Sequence, residues 1–111
     1  MIEKIVLDHL AARLPVPVYM EMPSEDPSRF VVLRKADSDR ENLIDSAMFV
    51  ADSYAESLLA AARLNEQVKL AMDNLAELDQ VAASQRGGDY PLMDTQNKQY
   101  RYQAICTITH Y

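Results

Sequence analysis

The sequence predicts a small α+β domain, in which one long helix and a short N-terminal helix pack on a mixed or antiparallel sheet. Within residues 53–78, apolar residues recur at helical steps of three and four. The last twelve residues, YRYQAICTITHY, instead alternate with a period of two, which is typical of a strand. The chain has 111 residues, too few for two separately stable cores, so residues 1–111 are predicted to form a single domain.

The N-terminal part predicts a helix followed by two strands. Residues 2–14 form the helix, which Pro15 ends, and its shared apolar face consists of Ile2, Ile5, Val6, Leu10 and Leu14. A short strand is expected between Pro17 and Pro23. FVVLRKA, residues 30–36, predicts a strand buried on both faces at its start, and the polar DSDRE, residues 37–41, predicts a turn.

Residues 42–52, NLIDSAMFVAD, fit either a strand or a helix. As a helix they would extend the next one far beyond the usual length in a small domain. Ser53 and Glu56 form a capping-box pattern, which starts a fresh helix. We therefore predict a strand over residues 42–52 and a helix from Ser53 to Leu78.

The C-terminal part predicts a strand at DQVAASQ and a final strand over residues 100–111. The polar segment from Arg86 to Gln99 lies between them and fits either a hairpin or an extended mobile loop. It contains Gly87 and Gly88, the two glycines of the chain, with Pro91 soon after. We expect this segment to be mobile in a free subunit and ordered on assembly. The predicted element order is α-β-β-β-α-β-β.

Residues that commonly carry catalysis or bind metals are few and scattered, so we expect no enzyme activity and no cofactor. His9 and His110 lie near opposite ends, and no His or Cys pair has zinc-ligand spacing. The single cysteine, Cys106, falls on the apolar side of the last strand, where burial is expected. The GxGxxG, P-loop, GxSxG and HExxH motifs do not occur.

Composition also limits the partners. A net charge of −6 gives no broad cationic surface, so we expect no sequence-specific nucleic-acid binding, although DNA can pass through an acidic ring. No apolar run approaches the roughly 18 residues of a membrane span, and no membrane partner is expected. Glu3 and Asp8 interrupt the N-terminal apolar stretch, unlike a signal-peptide core. One cysteine fits a reducing cytosol.

Two groups of charged residues form the candidate subunit or partner interface. Asp73 and Glu77 lie near the C-terminal end of the long helix, where the helix macrodipole disfavours anions. The second group lies in the long polar segment and consists of Arg86, Asp89, Asp94 and Lys98. A partner of complementary charge would stabilise both groups; simple solvation is the alternative interpretation.

Four segments carry a family resemblance: RLPVPVY, MPSEDPSRFVVLRKA, AMFVADSYAESLLAAARLNEQVKLAMDNL and GGDYPLMDTQNKQYRYQAICTITHY. In this order they resemble the tail terminator, or tail completion, proteins of long-tailed bacteriophages. The resemblance covers essentially the whole chain and rests on layout and hydrophobic pattern. It implies an α/β subunit that forms a hexameric ring on the end of the tail tube and stops its polymerisation. The implied partners are further copies of the chain, the tail tube protein and the head–tail connector protein. The resemblance also implies that the protein is found in the tail or neck of the virion, and in the host cytoplasm during assembly.

A structural assembly subunit is therefore the predicted function. One alternative is another phage neck or head–tail connector component. A second is a small α+β ligand-binding or regulatory domain, which predicts a concave pocket with a few convergent polar groups. The mass in solution separates these classes, because a ring-forming protein oligomerises.

Overall fold

A five-stranded mixed sheet with two helices forms the architecture, and the predicted order α-β-β-β-α-β-β is confirmed. The computed structural model describes residues 1–25, 27–41, 44–94 and 99–111. Its elements are α1 Ile2–Arg13, β1 Val18–Tyr19, β2 Phe30–Glu41, β3 Ile44–Ala55, α2 Leu58–Asp73, a 3-10 turn Asn74–Glu77, β4 Val81–Asp94 and β5 Gln99–His110. The strand order is β1-β2-β3-β5-β4, with β1 parallel to β2 and the other neighbours antiparallel.

The main core lies between the helices and one face of the sheet. Leu64 and Val68 of α2 are buried in one cluster with Phe49 of β3 and Cys106 of β5. The alternation predicted for the last strand is confirmed there, since the side chains of Ala104, Cys106 and Ile108 are all buried. Leu58 belongs to the apolar residues that recur at helical steps within residues 53–78, so it is expected to be buried with Leu64 and Val68. It is instead 39% exposed, in the first turn of α2. No helix of the described ranges is long and apolar enough to cross a membrane.

The capping-box prediction at Ser53 is wrong, since α2 begins one turn later. Ser57 is the N-cap, and its Oγ accepts a hydrogen bond from the Ala60 backbone N–H at 3.1 Å. Ser53 instead lies in β3, paired with Val31 on one side and Tyr102 on the other. Pairing with two strands outweighs a local capping pattern. The α-helix also ends earlier than predicted, at Asp73, and continues as the 3-10 turn.

Two serine substitutions test this helix start. Ser57→Ala should lower the free energy of unfolding by about 0.5 to 2 kcal/mol, because it removes the N-cap acceptor. Ser53→Ala should be nearly neutral or mildly stabilising, because the buried Ser53 Oγ has no hydrogen-bond partner in the described part of the chain. Urea unfolding of both variants measures the difference; the reverse order of effects would contradict the observed cap.

The turn predicted at residues 37–41 is also wrong, because β2 continues through these residues. Its first four residues are buried, as the continuous apolar start predicts. The remainder is exposed but pairs with β3 as far as Glu41 opposite Ile44, with a register shift between Lys35 and Asp37. Cross-strand hydrogen bonding to β3 therefore extends the strand into polar sequence. Residues 42 and 43 of the predicted 42–52 strand lie outside the described residues.

Residues 86–94 of the segment from Arg86 to Gln99 belong to β4 and pair with β5, so they form one arm of a hairpin and not an extended loop. β4 runs to Asp94, which pairs with Gln99 at the start of β5. The hairpin alternative is thereby confirmed. Residues 95–98 lie outside the described residues.

Candidate functional site

Three of the predicted interface residues meet along one seam between α2 and β4. Arg86 Nε lies 3.0 Å from Asp73 Oδ1, and Asp89 Oδ2 lies 3.0 Å from Lys69 Nζ. The anion at the C-terminal end of α2 is thus compensated within the subunit, because Arg86 supplies the opposite charge next to the helix terminus.

A bulge at Gly87 and Gly88 aims both seam residues of β4 at the helix. Arg86 pairs with Cys106 and Asp89 with Ala104, so two glycines lie opposite the single residue Ile105. In a regular strand, positions three apart face opposite sides, and the extra residue restores them to the same side. A Cβ on Gly87 would lie 3.4 Å from Ile105 Cβ and Cγ2. The bulge therefore turns both Arg86 and Asp89 toward α2, where each contacts a side chain of the helix.

Asp89 is the centre of the seam. Its Oδ2 accepts a hydrogen bond from Asn65 Nδ2 at 2.8 Å, and Lys69 also contacts Glu66 Oε1 at 2.7 Å. Contact with Lys69, supported by Asn65 and by the charge of Arg86, lowers the pKa of the Asp89 carboxyl. Glu66 and Asp89 in turn raise the pKa of Lys69. The seam is an ionised network.

Sequence reasoning missed Lys69 and Asn65. Asn65, Lys69 and Asp73 follow one another at steps of four, so they form one line along α2. The sequence shows this spacing, but it does not show which strand the three residues contact. The line faces β4 because of the bulge, which only the pairing register reveals.

The other predicted interface residues do not join the seam. Glu77 Oε2 lies 3.7 Å from Arg13 Nη2 of α1, and both side chains are substantially exposed. Asp94 ends β4, and its side chain lies outside the described part of the structure. Lys98 also lies outside the described residues.

The sheet face away from the helices carries a second polar group, which sequence reasoning also missed. Gln103 Nε2 donates to Asp52 Oδ1 at 3.0 Å, and Tyr90 Oη donates to Gln103 Oε1. Arg101 Nη1 donates to Tyr54 Oη at 3.1 Å and lies 3.8 Å from Asp52 Oδ2. Asp52 and Gln103 are buried and lie directly opposite each other in β3 and β5, so the network links three neighbouring strands.

The cysteine and the buried histidine, which could in principle take part in catalysis, lie within the packed structure. Burial, with a smaller effect from the charge of Asp73, raises the pKa of the Cys106 thiol to about 12, so the thiol stays protonated at neutral pH. His9 is buried, and its Nε2 lies 2.9 Å from the Ala71 carbonyl oxygen. Within residues 1–25, 27–41, 44–94 and 99–111, no three His, Cys, Asp or Glu side chains cluster as a metal site would require.

An open cleft of about 390 Å³ lies where β2, β3 and the end of β5 meet. Its lining includes Lys35, Arg40, Asp45 and His110. Lys35 Nζ contacts Glu3 Oε2 at 3.2 Å, and Arg40 Nε lies 3.7 Å from Asp45 Oδ1. Both cations of the cleft therefore already face carboxylates of the same chain.

The α2–β4 seam joins two elements rather than presenting reactive groups. Opposite charges and hydrogen bonds hold β4 against α2, so the edge strand is packed on the long helix. Asp73, Arg86 and Asp89 thus act within the subunit. No protein-family model and no curated protein matches the chain.

Proposed function

We propose that the chain is a structural subunit of a phage or prophage tail, a tail terminator. Copies form a ring, hexameric by the family resemblance, on the end of the tail tube. The ring stops tube polymerisation and provides the surface that joins the head connector. The resemblance spans the chain, and the observed fold combines helices and strands, as does the α/β subunit that the resemblance implies.

The observation that carries this proposal is a sheet with two uncovered edges on opposite sides. β4, a 14-residue strand, is an edge strand of the sheet. On the other side β1 pairs only with Val31 and Val32, so the rest of β2 forms an edge as well among the described residues. A closed ring needs two unlike surfaces on opposite sides of each subunit. Unpaired strand edges are strong association surfaces.

The β4 edge has features that favour a selective partner. The bulge at Gly87 and Gly88 interrupts its regular ladder, and Pro91 lacks a backbone N–H. Such irregularities oppose indiscriminate strand addition. A partner must match the irregular edge, as a neighbouring copy or a finished tube end would.

The supporting charges are supplied by the subunit itself. Because Arg86 contacts Asp73 and Asp89 contacts Lys69, the seam holds β4 against α2. The predicted interface residues of the seam therefore have an indirect role in assembly, because they hold the edge strand β4 in place. Glu77, Asp94 and Lys98 stay the candidates for direct contact.

Purified chain tests the proposal. We expect closed rings by negative-stain electron microscopy and a mass of about six times 12.6 kDa by light scattering, alone or after mixing with the tail tube protein of the same phage. Tube protein of an unrelated phage is the control and should not promote rings. A chain without rings under all these conditions would contradict the proposal.

A further inference from the structure

α2 presents two leucines and two charged residues to solvent on the side away from the sheet. Leu59 and Leu70 are 61% and 64% exposed, and Arg63 and Glu66 lie between them. The spacing of four, three and four places these residues on one face of the helix. We call this set, Leu59, Arg63, Glu66 and Leu70, the outer stripe. In the described part of the chain, nothing packs over its two leucines.

The outer stripe has the order leucine, charged residue, charged residue, leucine when it is read from either end of the helix. Only the signs of the two charges are exchanged between the two directions. Its midpoint falls between Leu64 and Asn65, so Leu59 mirrors Leu70 and Arg63 mirrors Glu66. We propose that the outer stripe is a homodimer interface, on which α2 of a second copy packs antiparallel. Each leucine then meets the opposite leucine of the partner copy, and each Arg63 meets a partner Glu66. A two-fold interface has this reciprocal form, in which residue i contacts j and j contacts i.

The helix dimensions allow both sets of contacts at once. Leu59 and Leu70 are eleven residues apart, or about 16 Å along the axis, and Arg63 and Glu66 are about 4.5 Å apart. These spacings are identical in the two copies because the sequence is the same. A single antiparallel register therefore satisfies two apolar contacts and two ion pairs.

The charges of the outer stripe are available to a partner. Arg63 is exposed and forms no ion pair among the described residues. The Glu66 side chain is 69% exposed, and its Oε1 lies 2.7 Å from Lys69 Nζ. Because most of the Glu66 side chain is exposed, a partner Arg63 can approach its carboxylate. Charge complementarity on one helix face thus selects a second copy of this chain as the occupant.

A groove beside Leu70 provides room for the partner's apolar end. The groove, about 190 Å³, lies between α1 and α2 and is lined by Arg13, Gln67, Leu70, Ala71 and Asn74. In the antiparallel register Leu59 of the partner lies opposite Leu70, next to this groove.

The dimer contact is separate from the proposed ring contacts. It uses one face of α2 and leaves both sheet edges free, so it holds whether or not the chain forms a ring. The contact area of two short helices is small, so dimerisation should be weak and depend on concentration. Where rings form, the same contact should join them in pairs.

Charge reversal tests the interface in the full chain. Arg63→Glu and Glu66→Arg each place like charges opposite one another twice in the dimer and should weaken association at least about tenfold. The double variant restores two opposite pairs and should recover the wild-type association. Lys4→Glu, at an exposed lysine of α1 outside the stripe and outside both sheet edges, has the same charge change as Arg63→Glu and serves as the control. Sedimentation velocity over a range of concentrations measures the mass, and circular dichroism confirms folding.

We expect the wild type and the Lys4→Glu variant to contain an even number of copies, and each single stripe variant to have half that mass. The double variant should recover the wild-type mass. A wild type that stays monomeric at every concentration would overturn the inference. Unchanged mass in the single variants, or a folded double variant that fails to recover, would overturn it too. Rings seen without pairing would refute the dimer contact alone, and pairs seen without rings would count against the proposed function alone.

Discussion

Leu64→Ala should lower the free energy of unfolding by about 2 to 5 kcal/mol, because it opens a cavity where α2 packs on the sheet. Leu64 is 4% exposed and belongs to the main core cluster together with Val68 and Phe49. Chemical denaturation at low protein concentration measures the loss. A loss of this size would be a large part of the unfolding free energy of a small domain.

Leu59→Ala is the matched control on the same helix. Leu59 is mostly exposed, so the same truncation should change the unfolding free energy by only about 0.5 kcal/mol when the protein is dilute. Equal effects of the two truncations would contradict the observed orientation of α2.

Asp89→Ala should be the second costly change, lowering the free energy of unfolding by about 1 to 3 kcal/mol. It removes the acceptor of the buried Asn65 amide and the partner of Lys69. Glu77→Ala is the control, because its 3.7 Å contact with Arg13 is exposed and should contribute little. Equal losses in the two variants would contradict the role of Asp89 as the centre of the seam.

The Asp89 contribution should also depend on pH in one direction. Because the pKa of Asp89 is lowered in the folded state, its stabilisation is complete above the ordinary aspartate pKa of 3.8. This stabilisation is lost as the pH falls through the lower pKa of the folded state. The stability difference between wild type and Asp89→Ala should therefore shrink when unfolding is measured below about pH 4. A difference that stays constant from pH 7 to pH 2 would rule out an ionised Asp89 as the cause.

The element order could be read from the sequence because long periodic segments report which face is buried. Leu64 and Val68 repeat with the helix, and Ala104, Cys106 and Ile108 repeat with the strand, and all are buried. Element boundaries were less accessible. Ser53 and Ser57 both precede the helix, and only pairing of Ser53 with two strands decides between them.

The candidate site was only partly predictable. Charge alone identified Asp73, Arg86 and Asp89, but it could not show that they contact one another and Lys69 within a single subunit. That arrangement depends on the bulge and on the register between β4 and β5. Distant pairing likewise creates the Asp52–Gln103 hydrogen bond, since these residues are far apart in the sequence. Local patterns carry no information on which residues a strand pairing brings together.

The most direct test of the proposed tail-terminator role is the length of tail tubes assembled with and without this chain. Tail tube protein of the same phage is polymerised in the presence of the purified chain, and tube lengths are measured by electron microscopy. We expect growth to stop, with a ring-shaped cap at one end of each tube. Tubes that grow to the same lengths as without the chain, with uncapped ends, would contradict the proposal.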